Sequence, residues 1–193
     1  MSGSDVADAT LSEAIALHEQ VRAGGLEAVV AAAAAIVAAL RQGGTVLAFG
    51  NGGSAADAAH LAAELVGRFR RERRGFAAVA LAADTSVLTS IANDYGYDSV
   101  FARQVDALGQ PGDIAFALTT SGESVNVLRG LEAARAQRLT TIVLTGRDGG
   151  SAGRLADVHV NVPSASTPRV QEVQRTLLHV ICDLVETELS AER

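Results

Sequence analysis

The chain has a single cysteine, Cys182, so no intrachain disulfide can form, and its start lacks the basic residues and apolar core of a signal peptide. It also lacks an excess of basic residues. A formal net charge of -6 argues against general binding to nucleic acid, whose phosphates need a basic face. No apolar run reaches the ~20 residues that a membrane-spanning helix needs. The nearest, Leu26 to Leu40, is about fifteen residues long and rich in alanine. These absences lead us to expect a cytoplasmic subunit with neither a membrane nor nucleic acid among its partners. Leu26–Leu40 is then expected to be a helix buried on most sides, in part against another subunit, because small side chains pack closely and few polar groups face water. Linkers, repeats and shifts of composition are missing as well, so residues 1–193 are expected to form one domain.

Apolar runs and polar helical stretches instead alternate with the spacing of βα units. Strands are expected at Thr45–Phe49, Ala77–Leu81, Asp113–Leu118, Thr140–Leu144 and Val158–Val162. Two helices, Leu11–Val21 and Leu26–Arg41, precede them, and others fall at about Ser54–Phe69, Ser86–Asp94, Val100–Leu108, Ser124–Gln137 and Ser151–Leu155. A last long helix begins near Thr167-Pro168, where proline is tolerated because its missing N–H would be unpaired anyway. The expected class is α/β: a three-layer α/β/α sandwich around a five-stranded, mainly parallel sheet, plus N-terminal helices. Ligands of such a sheet bind beyond the carboxyl ends of its strands, where strand order reverses.

Two loops lie at such ends. Gly50-Asn51-Gly52-Gly53-Ser54 follows an apolar strand and runs into a helix, with Ser54 expected as its cap. A helix start with unpaired N–H groups favours a phosphate or a sugar oxygen. Thr119-Thr120-Ser121-Gly122-Glu123-Ser124 offers four hydroxyls but no lysine, which suits a phosphomonoester better than a nucleoside triphosphate. The Gly-x-Gly-x-x-Gly spacing of a dinucleotide site is absent too.

His60 and Glu64, four apart on a helix, share a face and can reach one ion or one substrate. Gln171 and His179 are eight apart, about 12 Å of rise and about 80° of rotation. They can share an ion only if both lean toward the midpoint or if different subunits contribute. Among Arg68, Arg70, Arg71, Arg73 and Arg74, most are expected to be solvated, with Arg68 the one to face a ligand because it lies one turn beyond Glu64.

The ordered set Gly50–Asp57, His60, Glu64, Asn93-Asp94-Tyr95, Thr120-Ser121-Gly122, Thr145–Gly150, Pro163-Ser164 and Gln171-Glu172 resembles the phosphoheptose, or sedoheptulose-7-phosphate, isomerases, from about Leu11 to the C-terminus. The resemblance implies a flavodoxin-like sugar isomerase (SIS) fold, a homotetramer and one zinc ion per subunit. It also implies conversion of sedoheptulose 7-phosphate to glycero-manno-heptose 7-phosphate through an ene-diol, in heptose biosynthesis. Carried over residue by residue, it makes His60, Glu64, Gln171 and His179 the metal site, with Glu64 and His179 the acid/base pair. Asn51, Gly52, Gly53, Ser54, Asn93 and Asp94 would line the sugar, and Thr119, Thr120, Ser121 and Ser124 would hold the phosphate. Moving a carbonyl between C2 and C1 needs a base for a carbon-bound proton and an acid for the oxygens, which these residue types supply.

Two positions depart from the family pattern. Ser166-Thr167-Pro168 stands where Asp-Thr-Pro is usual, removing a carboxylate in a way that bears on sugar identity or pH profile rather than on fold. Thr119 replaces a usual serine but keeps the hydroxyl. A non-catalytic reading competes, because the fold also includes sugar-phosphate-sensing regulators and a replication-initiator-binding relative. That relative lacks the counterparts of Glu64 and His179, so their presence here favours catalysis. An isomerase of another sugar phosphate is the third reading.

Overall fold

The computed structural model describes residues 1–191. Two helices open the chain, α1 (Gly3–Ala23) and α2 (Glu27–Arg41), followed by β1 (Val46–Gly50), α3 (Gly53–Val66), β2 (Ala78–Ala80) and α4 (Thr85–Tyr95). A short 3-10 turn at Tyr97–Ser99 leads to α5 (Ala102–Leu108), β3 (Ile114–Thr119), α6 (Val125–Ala136), β4 (Thr140–Gly146), α7 (Gly150–Leu155), β5 (Val158–Val162) and α8 (Thr167–Ser190). Every expected strand and helix is found, with ends moved by a few residues. The largest change is α1, which starts well before Leu11 because Ser2 and Asp5 form a reciprocal cap.

All four strand pairings are parallel, in the order β2-β1-β3-β4-β5. β1, β3 and most of β4 are buried on both faces, which is why they read as unbroken apolar runs. Their side chains still alternate between two cores. Val46, Ala48, Ile114, Phe116, Ile142 and Leu144 face α1, α2, α3 and α8. Leu47, Phe49, Ala115, Ala117 and Val143 face α4, α5, α6 and α7. That period of two makes the sandwich three-layered.

α2 buries one face within its own chain. Val29, Ala32, Ala33, Ile36 and Val37 are buried against the core, but Val30, Ala31, Ala34 and Ala38 form an exposed stripe. A helix on the outside of one sheet has only one face to bury within its own chain. Among the described residues no single helix is long and apolar enough to cross a membrane.

The topology creates a crevice. From β1 the chain runs outward to β2, then returns to β3 on the other side, so the loops after β1 and β3 leave neighbouring strands and diverge. Gly50 pairs with Leu118, which brings Asn51 and Thr119 out of the sheet side by side.

Candidate active site

The loop after β1 turns at Gly52, whose φ of 56° is left-handed and easily adopted only without a Cβ. That turn starts α3 one residue early: Gly52 is the cap and Ser54 lies inside the first turn, buried, with no side-chain cap bond. Ser54 is therefore not the helix cap expected from sequence; its hydroxyl is left for the crevice. Gly53 is also constrained, because a Cβ there would lie 2.5 Å from Gln171 Nε2 on α8.

Asn51, Ser54, Thr119, Thr120, Ser124, Thr167 and Gln171 line a cavity of about 170 Å³ at the switch point. Its hydroxyls are already arranged among themselves. Thr119 Oγ1 lies 3.5 Å from Ser121 Oγ and 3.4 Å from Ser124 Oγ, and accepts from Gly122 N–H at 3.3 Å. No charged side chain lines this cavity, so an anion there would be held by hydroxyls, amides and the start of α6. Glu123 turns away from it, accepting from Ser151 N–H at 2.7 Å and so fastening the loop to α7.

A second group forms between α3 and α8. His60, Glu64 and His179 present ligand atoms all within 4.8 Å of one another. His60 Nε2 is 3.0 Å from His179 Nε2 and 3.1 Å from Glu64 Oε1. A single hydrogen on His60 Nε2, shared between the carboxylate and the lone pair of His179, satisfies both contacts. Burial, then the neighbouring His60, lower the pKa of His179, against an opposing pull from Glu64, so the neutral imidazole is favoured. Two imidazole nitrogens and one carboxylate oxygen converging on a point are the donor set of a divalent transition-metal site with an open position. All three come from one chain, so they do not require different subunits.

Long-range ties hold this convergence. Glu186, near the end of α8, is buried and accepts from the N–H groups of Phe69, Arg70 and Arg71 at 3.0, 2.8 and 2.8 Å. It also pairs with the buried Arg73 at 3.0 Å. Burial opposes its charge, but these N–H groups and Arg73 outweigh it and bring the carboxyl below its ordinary pKa. Arg73 in turn donates to the carbonyls of Glu64, Leu65 and Gly67, closing the C-terminal end of α3. Phe69 packs against the His179 ring with centroids 5.5 Å apart.

Other expected residues lie elsewhere. Arg68 is exposed after α3, 3.7 Å from Glu72. Asn93 and Asp94 are exposed at the end of α4, where Asn93 Nδ2 donates to Asp94 Oδ1 at 2.8 Å. Gln171 lies in the small cavity two turns before His179, beside Gly53. Gly53 and Gln171 also border a larger open cleft of about 610 Å³, lined in addition by His18, Asp57, Glu172, Arg175 and Thr176. Sequence reasoning passed over His18, Arg175, Asn126 and Tyr97. Asp57 is buried and receives both Nε and Nη2 of Arg175, a link 118 positions long that no local pattern announces. Cys182 is buried on α8, its thiol pushed up to about 12 chiefly by burial and next by Glu64, so it offers no thiolate near neutral pH. The chain has no lysine, which excludes a lysine Schiff base.

Comparison with known proteins agrees with this arrangement. The SIS domain pattern matches residues 11–146. The phosphoheptose isomerase of Aquifex aeolicus is 54% identical over 165 residues, 86% of each chain. Among solved structures, the phosphoheptose isomerase of Neisseria gonorrhoeae superposes with a TM-score of 0.92 at 42% identity, covering 96% of this chain and 100% of that one. The Francisella tularensis phosphoheptose isomerase gives 0.93 at 34% identity, covering 97% and 100%. With its five parallel strands, its switch-point loops and these likenesses along nearly its whole length, the chain belongs to the phosphoheptose isomerase family of SIS-domain proteins.

Proposed function

We propose that this protein is an aldose–ketose isomerase that converts sedoheptulose 7-phosphate to D-glycero-D-manno-heptose 7-phosphate for heptose biosynthesis. The observation that carries the reading is the pairing of a neutral, hydroxyl-lined anion cavity with a separate His60–Glu64–His179 group. His60 lies six residues beyond Ser54 on α3, roughly 9 Å of rise. A seven-carbon sugar phosphate, anchored at C7 and reacting at C1 and C2, needs its two ends recognised that far apart.

Glu64 takes the proton from C1 of the ketose while His179, entering as the imidazolium, protonates the C2 oxygen and is left neutral, giving the ene-diol. Loss of the C1 hydroxyl proton and return of a proton to C2 by Glu64 then give the aldose. The neutral form of His179 favoured by burial can accept the hydroxyl proton in that second half. Thr119, Thr120, Ser121 and Ser124 hold the phosphate, and Asn51, Gly52, Gly53, Ser54, Asn93 and Asp94 the sugar; Arg68 reaches the substrate only by leaving Glu72. His60, Glu64 and His179, joined by Gln171, would hold one zinc ion, whose positive charge when bound would polarise the sugar oxygens.

The exposed apolar residues Val6, Leu11 and Ile15 on α1, Val30 on α2 and Leu184 on α8 support a homotetramer buried along these helices. A monomer by light scattering at micromolar concentration would contradict that assembly. The chain acts as a single cytoplasmic domain in this reading.

The test is sedoheptulose 7-phosphate mixed with the purified protein, with and without zinc, followed by NMR for an aldoheptose phosphate. Product that disappears in Glu64→Gln is the expected result. A folded protein that binds the sugar phosphate without converting it would overturn the isomerase reading.

A further inference from the structure

The loop after β1 is joined to the first turn of α6, just past the loop after β3, by a half-buried pair of carboxamides whose hydrogen-bond polarity follows from the backbone. α6 begins at Val125, so the N–H of Val127 in its first turn has no partner within the helix. It finds Asn126 Oδ1 at 3.0 Å. An N–H only donates, so the Asn126 atom facing it is oxygen. The same Oδ1 lies 2.8 Å from the Asn51 carboxamide, whose facing atom is therefore Nδ2. Asn126 Nδ2 in turn donates to Asn51 Oδ1 at 2.8 Å, and the Tyr97 hydroxyl donates to that same oxygen at 3.1 Å.

A carboxamide oxygen has two lone pairs and its nitrogen two hydrogens. Both lone pairs of Asn51 are thus occupied and one of its hydrogens is used, which leaves one N–H on a side chain that lines the small cavity. Asn126 is 4% exposed, so its side of the pairing is shielded from water.

We infer that Asn126 is a positioning residue that fixes Asn51 as a donor, unable to accept, aimed at an acceptor oxygen of the sugar phosphate. Were Asn51 free to flip, half of its orientations would turn a carbonyl toward the same oxygen and repel it. Tyr97 supports the assignment from the other side of the crevice. The inference rests on the sugar-phosphate reading above and adds to it the polarity of one contact and the residues that set it.

The experiment compares Asn51→Ala, Asn126→Leu, Tyr97→Phe and the double variants Asn51→Ala/Asn126→Leu and Asn51→Ala/Tyr97→Phe. Each is titrated calorimetrically with sedoheptulose 7-phosphate, assayed for kcat and KM, and melted. Asn51→Ala and Asn126→Leu should each weaken binding about tenfold, with their double variant no worse than the weaker single, because Asn126 acts only through Asn51. Tyr97→Phe should weaken it about twofold to threefold in the wild-type background and not at all in Asn51→Ala. Wild-type affinity in Asn126→Leu, or losses that multiply in Asn51→Ala/Asn126→Leu, overturns the inference. Should Asn126→Leu fail to fold, the half-exposed Tyr97 decides alone: a Tyr97→Phe effect that persists without the Asn51 amide overturns it. Wild-type protein that binds but does not convert the sugar phosphate defeats the isomerase reading, while the affinities still decide the role of Asn126. Wild-type protein that does not bind it defeats both.

Discussion

The His60–Glu64–His179 group and the cavity around Asn51 and Thr119–Ser124 are made of different materials. The first consists of ionisable side chains on two long helices, α3 and α8, that pack through a shared apolar core and are tied by Asp57–Arg175 and, beyond the end of α3, by Glu186 with Arg73. The second consists of hydroxyls, amides and a helix start on loops whose positions follow from adjacent strands. Proton transfer needs groups whose charge changes, and these must be held against their own electrostatic preferences. Holding a phosphate needs donors that keep their state.

Breaking the helix tie should have the largest effect. Glu186→Ala strands a buried guanidinium and three backbone N–H groups, and should cost about 3–5 kcal/mol in urea unfolding. A loss below about 1 kcal/mol would show that α3 and α8 hold their spacing without it. Glu64→Gln leaves the fold and the cavity intact and should lower kcat by at least about 10²-fold with KM within a few-fold. Near-normal turnover would remove the division of labour altogether. The opposite split belongs to the loop: Thr119→Val with Ser124→Ala should raise KM about thirtyfold with little change in kcat, each hydroxyl contributing about 1 kcal/mol.

Acid should act on the tie before it acts on the cavity. Because the folded-state pKa of Glu186 is depressed, its contribution is complete above the unfolded value, ~4.3, and is lost as pH falls through the lower folded value. Stability against pH should therefore fall more steeply below about pH 4.3 in the wild type than in Glu186→Gln. Parallel slopes in the two proteins would contradict the charge assigned to this carboxylate. The smallest effect is expected from Thr119→Ser, which keeps the hydroxyl that accepts from Gly122 and should change KM by less than about twofold.

Much of this was legible in the chain because the relevant signals are local. Buried parallel strands show as apolar runs, Gly52 marks a turn that only glycine adopts easily, and the Ser/Thr loop stands where the sequence puts it, between β3 and α6. His60 and Glu64 are legible for the same reason, being one turn apart on one helix. Ser54 was misread as a cap because nothing local shows whether the helix begins at Ser54 or one residue before it. For α2, composition shows that most faces are apolar but not which of them the chain's own core covers.

The amino-acid sequence by itself determined the order of strands and helices, the two switch-point loops, and the hydroxyl-rich, uncharged character of the loop beside the small cavity, since each depends on residues a few positions apart. Only the tertiary structure decided that His179 meets His60 across 119 positions, that Glu186 ties down the loop beyond α3, and that Asn126 sets the polarity of Asn51. Such contacts depend on how helices pack on the sheet, and packing is a property of the whole core rather than of any segment.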